Sequence, residues 1–416
     1  MAFYKNVFKL SGATVLGQLF TLLSMPFITR MFSPEQLGDA AFFISVSMVL
    51  AVVFTARLEQ TFFVIKLVKN VKLTAYAGVI LSFVMAMSSL LILLIIRYSS
   101  FKVEGCIEWD WYYWLFPFSA FLIAVFKLGT GFSNRQSEYG TMSFVNLSFS
   151  VCHSGLRILF GIMSCYKFGL ILAILMARIA SILFYTKLLT PTFVIFKSKI
   201  FRLKLIAAIK QRKKSIQLLL PTDLINVVAI QSPFLLIPVV FGADELGYFS
   251  LVYSVAGAPL VLVGTAVSNV FRTEMSEQYR LNGRCDKQVR KLLFKLITYL
   301  APIFFFAALV AEPTFIFVFG DAWSTAGEVA GIVMAMFFFQ FLARVFSYIF
   351  VLVGALKENL LVQVTLTIST LLAFGASYFY KVSFSDCMAL YSFIYCVVYC
   401  YTIVRAYIFS QGNAKQ

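Results

Sequence analysis

The chain has 416 residues, of which 61% are apolar and only 13% charged, against about 45–50% and about 25% in an ordinary soluble domain. That balance argues against both a soluble globular enzyme and a disordered chain. One histidine and seven scattered cysteines with no CxxC pair argue further against a tetrahedral zinc site and a disulfide scaffold.

A membrane helix needs about 20 apolar residues, so twelve would use roughly 240 and leave only short connections. Apolar stretches with charged flanks predict spans over residues 9–29, 40–65, 74–96, 111–132, 141–163, 168–189, 216–240, 248–271, 292–311, 326–353, 360–379 and 387–409. Lys5 and Lys9 precede the first span, but further spans follow it, so it reads as a helix and not as a cleaved signal. The longest polar connection, about 190–215, divides the chain into residues 1–189, a basic cytoplasmic linker 190–215, and residues 216–416. The expected fold is an all-α polytopic membrane protein. Its twelve transmembrane helices form two six-helix lobes related by a pseudo-twofold axis along the membrane normal.

An internal echo supports that division. MFSPEQLGDAAF (31–42) follows the first span and VFGADELGYFSL (240–251) the seventh. At one offset of 209 residues, Phe32 matches Phe241, Glu35 matches Asp244, Leu37 matches Leu246 and Gly38 matches Gly247.

Orientation follows from charge. With a cytoplasmic N-terminus, the inner connections hold 25 basic and 5 acidic residues and the outer ones 5 and 11. This is the positive-inside pattern, and with an even number of spans both termini are cytoplasmic. The net charge of +17 is therefore mostly topology. No aromatic stacking pattern accompanies the basic clusters, so nucleic acid is not an expected partner.

Charges inside a bilayer cost about 2.5–3.5 kcal/mol each on insertion scales and usually face protein or water. The spans contain Arg57, Glu59, Lys127, Arg157, Arg178, Asp223 and Arg344. Lys127 reads as snorkelling, and Arg157 as snorkelling or lining a cavity. Asp223 caps a helix, pairs with a neighbour or serves in ion coupling. Arg178 and Arg344, near the middle of their spans, read as cavity residues. Arg57 and Glu59, two apart on a helix, point about 200° from each other and are not expected to pair directly. An excess of arginine suits an anionic substrate, because guanidinium groups hold phosphates through forked hydrogen bonds. Pro26 in the first span and Pro221, Pro233 and Pro238 in the seventh are candidate bending points. His153 is alone in its span. It reads as a packing or hydrogen-bonded residue, with ion coupling alongside Glu59 and Asp223 as the functional alternative. Trp109, Trp111, Trp114 and Trp323 read as interfacial anchors. Enzymatic signatures such as GxSxG, Walker A and HExxH are absent.

Five segments carry a family resemblance: SGATVLGQLFTLLSMPFITRMFSPEQLG (11–38), TARLEQTFFV (55–64), SNRQSEYG (133–140), FGADELGYFSLVYSVAGAPLVLVGTAVSNVF (241–271) and VFGDAWSTAGEVA (318–330). In order and position they resemble the O-antigen repeat-unit flippases of the Wzx type, polysaccharide exporters of the multidrug/oligosaccharidyl-lipid/polysaccharide flippase superfamily. The resemblance implies a non-enzymatic transporter of the bacterial inner membrane. It would move undecaprenyl-pyrophosphate-linked oligosaccharide between leaflets through a cationic central cavity. It needs no cofactor beyond H⁺ or Na⁺ as a coupling ion, and it touches membrane lipid and partner polymerases or chain-length regulators. The RLEQ at Arg57–Gln60 matches a family pattern. No second acidic residue accompanies Asp223 in its span, which argues against strong ion coupling there. The alternatives are a MATE-like drug exporter and a membrane polysaccharide polymerase or ligase.

Overall fold

The structure is a computed structural model that describes residues 2–98, 111–165, 168–185, 205 and 207–412. Every regular element among the described residues is a helix. Two compact units emerge: Met1–Met31 with Ala40–Gln231, and Phe32–Asp39 with Ser232–Gln416.

The first unit contains α1 (Ala2–Met31), most of α2 (Pro34–Thr55), the short α3 (Leu58–Thr61), α4 (Val68–Tyr98), α5 (Phe116–Arg135), α6 (Tyr139–Ile162), α7 (Gly169–Leu183) and the start of α8 (Lys213–Val240). α1 runs along α6. A Cβ on Gly17 would lie 2.7 Å from the Ser150 hydroxyl, so a small residue is what lets the two backbones approach. α5 sits at the centre, packed on α4, α6 and α7. Its Leu122, Val125, Leu128 and Phe132 join Phe43, Leu58 and Phe62 in a continuous apolar core.

The second unit contains α9 (Ala243–Val252), α10 (Ala258–Asn282), α11 (Asp286–Leu309), α12 (Ala311–Phe319), α13 (Ser324–Phe346), α14 (Tyr348–Leu352), α15 (Leu356–Tyr380) and α16 (Phe384–Ser410). α13 is the hub, touching α9, α10, α11, α12 and α16.

Eleven helices among the described residues are long and apolar enough to cross a membrane, and each overlaps a predicted span. The sixth predicted span appears as a shorter apolar helix, Gly169–Ile182. Residues 186–204 lie outside the described residues, and with them most of the predicted linker and Lys187, Lys197, Lys199, Arg202 and Lys204. Trp109 and Cys106 also fall outside.

Several predicted spans are interrupted, the one over 326–353 at Ser347 between α13 and α14. The span over 40–65 is a helix only to Thr55. Ala56 (φ 46°) and Arg57 (φ 57°) then adopt the left-handed conformation before α3 begins. The span over 248–271 contains a π turn, Tyr253–Gly257. Pro259 stands at the start of α10 just after it, and a proline without a backbone donor is a usual companion of such widening. By contrast, α8 runs as one helix through Pro221, Pro233 and Pro238, as α1 does through Pro26. Trp323 is only 1% exposed and packs edge-on against Tyr248, so it is a core residue and not an interfacial anchor.

The two echoed loops meet within the second unit. A Cβ on Gly38 would fall 1.9 Å from the Ala243 carbonyl oxygen, and a Cβ on Gly247 would fall 1.9 Å from the Pro34 carbonyl oxygen. Pro34 and Ala243 are themselves separated by the 209-residue offset, so the contact is reciprocal. Only glycine permits two backbones to come this close.

The end of α16 is tied to the turn between α10 and α11. The Cys285 amide donates to the Ser410 carbonyl at 2.7 Å, and Gly412, with φ of 83°, lies against the Gly283 carbonyl. Burial first, and the neighbouring Asp286 second, push the Cys285 thiol up to about 11.

Candidate functional site

The site in the first unit begins with a backbone irregularity. At the end of α2 the Arg57 amide donates to the Thr55 hydroxyl at 3.2 Å. The carbonyls freed beyond α3 are taken up from α5: Arg135 donates through Nε to the Phe62 carbonyl (3.1 Å) and through Nη2 to the Ile65 carbonyl (3.2 Å). In hydrocarbon an interrupted helix persists only where neighbours satisfy its backbone in this way. In the sequence Arg135 is one of the basic residues of the inner connections. Its only sequence signal is an arginine at the last residue of α5, facing a helix break that the residues themselves do not announce.

The turn brings Arg57 between two carboxylates. Its Nε donates to Asp223 Oδ2 at 2.6 Å and its Nη1 to Glu59 Oε1 at 3.2 Å. The three side chains are 15%, 18% and 10% exposed. The expectation that Arg57 and Glu59 do not pair is therefore overturned, because they do not lie on one regular helix: the left-handed residues swing Arg57 round. The view that Asp223 lacks an acidic companion is corrected as well. Glu59 shares the Arg57 guanidinium with Asp223, which lies 166 positions from Arg57 in sequence. Glu59 Oε2 is buried with no hydrogen-bond partner among the described residues, and its Cβ packs close to Gly131 of α5.

Further cations gather in the same unit. Lys127 of α5 is half-buried and lies within electrostatic reach of Glu59, Arg57, Arg178 and Asp223. Arg178 of α7 stacks its guanidinium on Phe149 (3.7 Å) and Phe126 (4.4 Å), and its Nε is buried with no hydrogen-bond partner among the described residues. Arg157 of α6 is 8% exposed, which rules out snorkelling in favour of a buried role. No ion pair holds it among the described residues. His153 stacks on Phe149 with rings 13° from parallel, within electrostatic reach of Arg157 and Arg178. No carboxylate contacts it among the described residues. The arrangement thus holds Arg57, Lys127, Arg157 and Arg178 against Glu59 and Asp223, with the two carboxylates committed to Arg57. Of the remaining cations Arg178 has aromatic faces for company, and none has an ion pair among the described residues.

Arg344 belongs to the second unit. It lies on α13 beside Gly264 of α10 and within electrostatic reach of Tyr253 and Tyr399. Tyr399 accepts from Gln340 at 3.1 Å, and Tyr395 pairs with Thr370 at 2.7 Å. This polar seam between α13, α15 and α16 was not foreseen. Its sequence trace is the four-residue spacing of Tyr391, Tyr395 and Tyr399 on one helix face.

Residues 27–328 match the family described as polysaccharide biosynthesis protein. No curated protein sequence matches the chain. Among solved structures, the lipid II flippase MurJ in its inward closed conformation gives a TM-score of 0.67 at 12% identity, covering 96% of this chain and 89% of that one. An inward-facing multidrug resistance MATE family transporter of the MOP superfamily gives 0.55 at 13% identity, covering 96% and 93%. A MOP superfamily transporter from Pyrococcus furiosus, described as having a binding pocket of reversed polarity, gives 0.50 at 14% identity, covering 98% and 94%. Identities this low speak to the fold alone. Matched by the family over well more than half its length, this multi-pass membrane chain with the fold of MOP superfamily transporters belongs to the polysaccharide biosynthesis protein family.

Proposed function

We propose that the protein is a lipid-linked oligosaccharide flippase. It would move undecaprenyl-pyrophosphate-linked O-antigen or related repeat units from the cytoplasmic to the periplasmic leaflet of the bacterial inner membrane, with both of its own termini cytoplasmic. The family and the fold support a transporter of this class. The observation that carries the anionic substrate is the pair Arg157, which is buried, and Arg178, half-buried with its Nε fully covered, both held without a carboxylate among the described residues. A buried cation with no fixed partner is costly, and a phosphate oxygen would relieve it through charge-assisted bonds.

The mechanism is alternating access. Arg57 and Arg178 in the first unit are the proposed partners of the pyrophosphate, with Arg344 a separate candidate in the second, while the polyprenyl tail stays in lipid. Pro26, Pro221, Pro233 and Pro238 give α1 and α8 their bending points. A head group with about two negative charges leaving a negative-inside cell gains roughly 4–5 kcal/mol at 100 mV, so uniport is energetically sufficient. Coupling to H⁺ or Na⁺ has a natural seat in Glu59 and Asp223. Neutralising either releases part of the hold on Arg57, and the freed guanidinium becomes available to phosphate. His153 stacks away from both carboxylates and is the weaker coupling candidate. Contacts with polymerases or chain-length regulators are a further expectation of this reading.

The test is a leaflet assay in cells lacking this gene and any redundant flippase. Lipid-linked repeat units should accumulate in the cytoplasmic leaflet, and the wild-type protein should restore their transfer. Arg178→Ala and Arg344→Ala should restore little despite normal expression. Unimpaired transfer in the deletion strain would overturn the reading.

A further inference from the structure

A second basic cluster lies apart from the transport site, where the chain enters α8. Helical turns at 207–211 end at Arg212, and α8 begins at Lys213. Leu205, Ile209 and Ile216 from this corner pack on the apolar core of the first unit. Between the two helical pieces lies a groove of about 390 Å³ lined by Ile209, Lys210, Lys213, Ile216 and Gln217. Its walls are apolar and its rim carries two exposed ammonium groups. Arg212 lies between them in sequence, its Nε buried and without a hydrogen-bond partner among the described residues. Lys214 adds a fourth cation, and no acidic residue occurs from Lys210 to Thr222. None of these cations has an ion pair among the described residues.

We propose that this groove is a binding site for one anionic phospholipid, with the phosphate held by Lys210 and Lys213 and the upper acyl chain lying along Ile209 and Ile216. Charge selects the headgroup class: unpaired cations at the mouth of a membrane helix attract phosphate and repel nothing that carries net negative charge. The apolar wall selects a lipid over a free anion, since inorganic phosphate has nothing to bury there. Gln217 supplies an amide donor beside the lysines. The site stands independently of the transported substrate, because none of its residues belongs to the cluster around Arg57 and Arg178.

The experiment is native mass spectrometry of the full-length protein in detergent, titrated with phosphatidylglycerol, with phosphatidylcholine or with inorganic phosphate. Phosphatidylglycerol should give one saturable adduct at lower concentration than phosphatidylcholine, and inorganic phosphate should neither bind at comparable concentration nor displace it. Lys210→Gln with Lys213→Gln, both at exposed positions, should weaken that adduct about 30-fold, two surface cations' worth of attraction. Lys214→Gln, off the groove, should change it much less. Equal binding of both lipids would overturn the site. So would an unchanged adduct in the double variant, or an equal loss in Lys214→Gln, which marks diffuse charge attraction. If the double variant is unstable in zwitterionic detergent, Lys210→Gln alone should still weaken the adduct several-fold, and an unchanged adduct there refutes the proposal.

Discussion

Arg57 holds two carboxylates from a backbone conformation that costs about 1–3 kcal/mol in a non-glycine residue, so its ion pairs and the Arg135 bonds must hold the turn in place. Removing the guanidinium leaves Glu59 and Asp223 facing each other, mostly buried. Arg57→Ala is expected to lower stability by about 3 kcal/mol, read by thermal unfolding in detergent. Adding Glu59→Gln and Asp223→Asn to Arg57→Ala should recover a large part of the loss, because the uncompensated charges cause most of it. Arg178 is a different case. Its stacking on Phe149 and Phe126 is shape and charge together, and lysine keeps the charge but not the plane. Arg178→Lys should therefore express normally yet transport less than wild type, with Arg178→Ala lower still, in the leaflet assay above.

The apolar helices are legible in the residues because hydropathy over some twenty positions is a long, redundant signal. The interruption after Thr55 is not. Ala56 and Arg57 carry no glycine or asparagine to announce a left-handed turn, and the bonds that sustain it come from Arg135, more than seventy positions away. The pairing of Arg57 with Asp223 is hidden for the same reason: a tertiary contact leaves no local pattern. The glycine echo was readable as a match of letters but not as an approach of backbones. That approach yields a sharp expectation. Gly38→Ala puts a methyl against the Ala243 carbonyl, where no flexible side chain can yield, and should cost about 1–3 kcal/mol or more. Gly140→Ala in α6 meets nothing within 4 Å and should be neutral or stabilising by about 0.5–1 kcal/mol. Thermal unfolding of the two variants side by side is the check. The α10–α11 turn offers another. Cys285 is 1% exposed and its thiol is raised to about 11, so little reactive thiolate exists near pH 7. Maleimide labelling should be slow there and quicken as pH rises towards 11. Truncation after Phe409 should speed it at every pH by uncovering the turn.

For the whole molecule, charge and helix count make one joint statement. Eleven long helices and one short one, Gly169–Ile182, among the described residues place the termini on the same side only if the short helix also crosses. Reporter fusions at the two ends should both read cytoplasmic, as the basic inner connections demand. Ends on opposite sides would mean that the sixth segment does not span. The reciprocal contact of Gly38 on Ala243 and Gly247 on Pro34 reaches beyond stability. A surface in which position i touches position j while j touches i is the self-complementary surface of a homodimer. These two loops meet with that same self-complementary geometry inside a single chain, so a change at Gly38 and its counterpart at Gly247 should disturb one and the same contact.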